Sequence, residues 1–178
     1  MKKNMERRRC FLDSLKKTKL IHYASNAVEF DPEREYIDKE DAILKPAGLW
    51  VSVEGECDWK WWCEQIGWEE RITHAHEVKL KDDANILYLK SPSELMRFGE
   101  KYPNTDPEYA QLEKLMTMFL DWTRVKQDYQ GVIIAPYQWP CRFDLMWYYG
   151  WDCASGCIWD LSCVEEFKTV MYTQEQSP

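Results

Sequence analysis

Several short stretches of this chain place chemistry-bearing side chains at strand or turn spacing. Trp50 and Ser52 stand two apart in Gly48-Leu-Trp-Val-Ser-Val53, so a strand there carries both on one face. An indole beside a hydroxyl suits a flat ring and the edge of a sugar. Pro46 and Gly48 set a turn just before it, and a glycine lets backbone or ligand approach closely. His22 and Tyr23 close the apolar run Leu20–Ala24, with an imidazole that titrates near neutrality. Farther on, Trp147–Trp159 is the densest aromatic region, and Gly150 and Gly156 loosen the backbone around Asp152 and Ser155. Those two polar residues are the anchors expected in a pocket wall. Each feature also has a structural reading: a satisfied strand histidine, a core tryptophan, or a tight turn capped by its own aspartate.

Other chemistries have less behind them. His74 and His76 share a strand face, yet no third metal ligand is evident. Cys57, Cys63 or Cys153 lacks an oriented base for nucleophilic work. The spacing Cys153-x3-Cys157-x5-Cys163 matches no standard zinc site. Seven cysteines with no charged-then-apolar secretion signal point to free thiols in a reducing cytoplasm. No glycine-rich loop follows a first strand, so a doubly wound nucleotide fold is not expected.

The elements that must hold these residues follow from periodicity. Leu20–Ala24, Gly48–Val53, Arg71–Leu80, Asn85–Leu89, Gly131–Pro136 and Gly156–Asp160 read as strands. Asp58 is an N-cap for a Trp-rich helix ended near Gly67, and Ser93 is expected to cap a helix over Glu94–Glu100. After Thr105-Asp106-Pro107 an apolar stripe from Tyr109 to Val125 predicts a long helix. Met5–Lys17 reads as a short basic helix. Mixed helices and strands without a regular βαβ rhythm predict an α+β fold with a mixed or mainly antiparallel sheet. The division is a basic arm over 1–19 and one α+β domain over 20–178.

Composition bounds the rest. The chain has 178 residues, and 15% aromatic content including 10 Trp argues for an ordered core. The net charge of −8 argues against a general nucleic-acid binder. It is unevenly spread: residues 1–20 hold eight Lys/Arg against two carboxylates, a net of +6, which leaves −14 on the remainder. The arm is either a solvated helix paired with the acidic stretch Glu29–Asp41 or a contact to nucleic acid. No apolar run approaches the roughly 20 residues of a membrane span.

Leu20-Ile-His-Tyr-Ala-Ser25, Lys45-Pro-Ala-Gly-Leu-Trp-Val-Ser52 and the Trp-rich helix resemble the ADP-ribosyltransferase superfamily. The segments Lys45–Ser52 and Trp151–Trp159 are also similar to a group of bacteriophage proteins carrying K-P-x-G-L-W-x-S and W-D-C-x-S-G-C-I-W, over about residues 20–160. The resemblance implies a split sheet with flanking helices and NAD as substrate. It implies His22 on the ribose, Tyr23 and Trp50 on flat rings, and Ser52 on His22 or the ribose. Gly48, Asp152 and Ser155 would complete the cofactor site, with no metal. Asp128–Tyr137 resembles the superfamily's late strand, with Gln130 where a catalytic Glu often stands, near the reactive ribose carbon. An uncharged amide cannot stabilise a ribosyl cation as a carboxylate does. The charge then falls to Asp128, Asp144, Asp152 or Asp160, or the fold binds without transferring. Three functions are therefore weighed for a phage protein in the host cytoplasm. One modifies a host protein or nucleic acid, or consumes NAD. The alternative is a non-catalytic inhibitor that grips a host defence protein through an acidic, aromatic surface. A third is a single-stranded nucleic-acid binder using stacked aromatics.

Overall fold

A computed structural model describes residues 18–38, 44–104 and 119–170. Seven strands are present among them: β1 (Leu20–Ala24), β2 (Leu49–Val53), β3 (His74–Leu80), β4 (Ile86–Leu89), β5 (Gly131–Ile134), β6 (Ser155–Ile158) and β7 (Val164–Val170). All seven join one sheet in the order β4-β5-β6-β2-β1-β3-β7. Only β4 and β5 run parallel, and the other neighbours are antiparallel. The fold is α+β with a mixed sheet. The split sheet implied by the resemblance is not what these strands form, because β6 hydrogen-bonds both β5 and β2 and bridges the two halves.

Burial explains why short runs suffice. In β5 and β6 every residue is buried, so they need no polar alternation. Among the described residues four helices accompany the sheet: α1 (Trp59–Ile66), α2 (Pro92–Lys101), α3 (Trp122–Asp128) and α4 (Met146–Tyr149). The last three meet through rings: Phe98 lies 5.4 Å from Trp147 and 6.2 Å from Trp122, with Trp122 and Trp147 6.4 Å apart. Such edge and tilted contacts add about 1 kcal/mol each beyond the area they bury. Helix α1 begins at Asp58, whose carboxylate accepts the Trp61 backbone N–H at 2.8 Å. It stops at Gly67, with φ 74°, a left-handed position that favours glycine.

Three expected boundaries moved. Ser91, not Ser93, caps α2, because Pro92 occupies the first helical position. The alternation over Arg71–Leu80 begins as a strand only at His74, after a 3₁₀ turn over Glu69–Ile72. The stripe ending at Val125 is not one helix: Leu120 pairs with Pro103 in an antiparallel bridge, and Asp121 caps α3 afresh. The rest of that stripe, and the basic helix expected over Met5–Lys17, lie outside the described residues. Strand β7 and helix α4 went unread, since β7 alternates little and α4 is a single turn.

Strand register decides which face each side chain takes. Ile21 pairs with Ser52 and Ser52 with Ser155. Tyr23 and Trp50, each two residues along, therefore share that face. His22 pairs with His76 and Val78 with Phe167 on the other face. No helix among the described residues is long and apolar enough to cross a membrane.

Candidate functional site

The first face carries a cleft of about 630 Å³, within the range of small-molecule sites. Tyr23, Trp50 and Ser52 enter it from the two central strands, and Trp59 from the start of α1. Lys45, Glu70 and Arg71 bring charge to it, Trp151 and Asp152 come from the turn before β6, and Ser155 is the first residue of that strand. Five of the residues expected at the cofactor site are thus brought together: Tyr23, Trp50, Ser52, Asp152 and Ser155.

The polar members are largely engaged. Ser52 Oγ accepts the Trp59 backbone N–H at 2.8 Å, which locks β2 to α1. Ser155 Oγ donates to the Cys153 carbonyl at 3.0 Å. Asp152 pairs with Arg142 at 3.2 Å and with Lys45 at 3.6 Å. These bonds shape the wall as much as they offer contacts. Trp50 lies edge-on to the buried Trp151 at 4.8 Å, and the Lys45 ammonium stands 5.3 Å from the centre of the Trp50 ring. Arg71 stacks over Trp68 at 4.1 Å, an exposed ring. The cleft therefore combines aromatic faces with two cations, Lys45 and Arg71, and two carboxylates, Glu70 and Asp152.

Burial tunes the titratable groups. The Tyr23 phenol is pushed upward by burial, then by the carboxylates of Asp58 and Glu54, so it stays protonated at neutral pH. Burial pushes the Cys153 thiol up to about 12. A neutral thiol is a poor nucleophile, and the Cys153 side chain is buried in the wall. The cysteines among the described residues are free thiols, and no cluster of three or more metal-ligating side chains occurs there.

Three expected site residues stand elsewhere. His22 is one residue from Tyr23, and strand alternation turns it to the opposite face. Its Nδ1 donates to the Trp50 carbonyl at 2.8 Å, and its ring lies 5.9 Å from Phe167 and 6.1 Å from His76. It lines a separate cavity of about 180 Å³ with Phe30, Tyr36 and Arg34. Gly48 lines that same cavity. A Cβ at Gly48 would stand 2.5 Å from Cys157 Sγ and 2.7 Å from the Ile158 carbonyl oxygen, so the close approach it permits is to strand β6. Gln130 sits before β5, on neither cavity. Its Oε1 accepts the Asn85 N–H at 2.9 Å, and its Nε2 donates to Asp160 at 2.7 Å and Ser162 at 3.2 Å. It splices the entry of β4 to the turn before β7. Strand alternation, and a sheet order that places β6 between β5 and β2, keep His22, Trp50 and Gln130 from sharing one cleft.

The structure adds residues that sequence reasoning passed over. Lys45 stood inside the quoted motif without a role, and Trp59 was one of several tryptophans in a helix. Glu70 and Arg71 carried no signal, because a 3₁₀ turn has no sequence period to reveal which side faces inward. No family model, curated protein or solved structure matches the chain.

Proposed function

We propose that the cleft binds a nucleotide, with NAD as its occupant. The reading is carried by the gathering of Tyr23, Trp50 and Trp59 around one cavity that also holds Lys45 and Arg71. Rings supply stacking for a base or nicotinamide, and cations meet the diphosphate. In this reading the protein acts in the cytoplasm of a bacteriophage host and either hydrolyses NAD or transfers ADP-ribose to a host macromolecule. The bond between ribose C1′ and the nicotinamide nitrogen breaks, nicotinamide leaves with the electron pair, and water or an acceptor nucleophile attacks C1′. The ribosyl cation formed on the way needs a negative neighbour. Glu70 supplies it, since Asp152 is engaged by Arg142 and Lys45 and Gln130 lies outside the cleft. His22 holds the wall from behind by its bond to the Trp50 carbonyl.

Calorimetry with NAD, followed by nicotinamide release, tests this. The expected result is saturable binding by the wild type, and a Glu70→Gln variant that still binds but cleaves at least about a hundredfold more slowly. Absence of NAD binding to folded wild-type protein overturns the reading.

A second reading is favoured by one surface feature. Phe143 is 80% exposed, and Trp139, Met146 and Tyr149 are exposed beside it in the same short segment. On a chain of net charge −8, such a patch suits a host protein with a basic face. A stoichiometric host partner lost on Phe143→Ser, together with no NAD turnover, would favour it.

A further inference from the structure

A lysine at the mouth of a solvent-filled cleft ordinarily samples many rotamers, because ordering its stem costs entropy. Lys45 is instead held at three points. Its ammonium stands 5.3 Å from the Trp50 ring centre and 3.6 Å from Asp152 Oδ2. Its stem crosses Gly150, where a Cβ would lie 3.0 Å from Lys45 Cε and 3.4 Å from Cγ. The carboxylate that holds the ammonium is itself held. Arg142 Nη2 donates to Asp152 Oδ1 at 3.2 Å, while Nη1 donates to the Tyr137 hydroxyl at 2.6 Å and to the Trp151 carbonyl at 3.3 Å. The guanidinium also lies 5.0 Å from the Trp62 ring centre and 5.6 Å from that of Tyr149. Side-chain exposure rises along the relay, from 13% at Arg142 through 25% at Asp152 to 40% at Lys45.

We infer that Arg142 is a positioning residue that acts through Asp152 to hold the Lys45 ammonium over Trp50, where it meets the phosphate of a ligand stacked in the cleft. The phosphate rests on the nucleotide reading; the relay rests on geometry alone. Only a planar fork can present one nitrogen to the carboxylate and another to the hydroxyl and carbonyl behind it. Gly150 completes the device by leaving room for the stem.

Reductive methylation with ¹³C-formaldehyde labels lysines and keeps their charge. The Lys45 methyl signal, assigned by its loss in Lys45→Arg, is expected upfield of exposed lysines because the Trp50 ring current acts on it. Arg142→Gln and Gly150→Ala should each return it to the exposed-lysine position. Should Arg142→Gln fail to fold, Asp152→Asn keeps the arginine and reads the same displacement. An unshifted Lys45 in the wild type, or a shift that persists in the folded variants, overturns the relay. NAD affinity gives a separate arm. Arg142→Gln and Lys45→Met should each weaken binding roughly tenfold, and the double variant no further; additive losses overturn the relay. Wild-type protein that binds no NAD overturns the nucleotide reading and leaves the relay to be decided by the Lys45 signal.

Discussion

Trp50 bears on three neighbours at once. Its carbonyl accepts from His22 Nδ1 at 2.8 Å, its ring edges against Trp151 at 4.8 Å, and Lys45 stands over it. Removing the ring takes a stacking face from the cleft but leaves the backbone bond to His22. Trp50→Ala should therefore weaken NAD binding by about tenfold or more, since one stacked base contributes about 1–3 kcal/mol. Gln130→Ala should leave affinity unchanged. Calorimetry on both variants distinguishes the cleft from the expected site at His22 and Gln130: a loss with Gln130→Ala and none with Trp50→Ala would refute this placement. Gly48 tests packing rather than binding. Its missing Cβ is the space that Cys157 Sγ fills, so Gly48→Ala should cost about 1–3 kcal/mol of overpacking, read as a lower urea midpoint.

At the scale of elements, helix α1 is the part of the site most plainly written in the sequence. A cap at Asp58, a turn glycine at Gly67 and an aromatic run between them specify it, and the structure places all three as expected. Its first residue, Trp59, enters the cleft with its N–H tied to Ser52. Asp58→Ala should therefore cost about 1 kcal/mol of stability and also weaken ligand binding by loosening Trp59. Thermal denaturation and calorimetry on one variant would show both effects; stability loss with unchanged affinity would detach α1 from the site. The strands were legible as runs, and their neighbours were not. Alternation alone reports that His22 and Tyr23 point oppositely, yet which face holds the cleft depends on what packs there. The apolar stripe ending at Val125 shows the opposite limit. Leu120, inside the span expected to be helical, pairs with Pro103 instead, because a tertiary partner outweighs a fraction of a kcal/mol of propensity.

For the whole molecule, the histidines between β1, β3 and β7 set a pH response. His22 is held below the ordinary histidine range by burial, then by Arg34. His76 is lowered by burial, then by His22 and His74. His76 stacks on Phe167 at 4.7 Å, and its Nδ1 meets Thr169 Oγ1 at 3.1 Å. In the unfolded chain both protonate near pH 6.5. Below that value the unfolded state binds more protons than the fold, so stability is full above about pH 6.5 and falls as pH drops toward the depressed folded values. The urea midpoint should therefore fall between about pH 7.5 and about pH 5.5. His76→Phe, which keeps a ring against Phe167, should shrink that fall; an equal fall in the variant would assign the response to other groups.

The sequence by itself determined an ordered α+β chain, six of the seven described strands, the capped Trp-rich helix, and five residues that line one cleft. It could do so because caps, glycine stops and periodicity are local, and because Trp50 and Ser52 share a face by strand geometry alone. Only the tertiary structure decided that His22 turns away, that Gln130 is a splice, that Lys45, Glu70 and Arg71 line the cleft, and that Arg142 stands behind Asp152. Those facts depend on strand order, on β6 inserting between β5 and β2, and on contacts between segments about a hundred residues apart, such as Lys45 with Asp152. No local period encodes which distant segments a sheet will bring together.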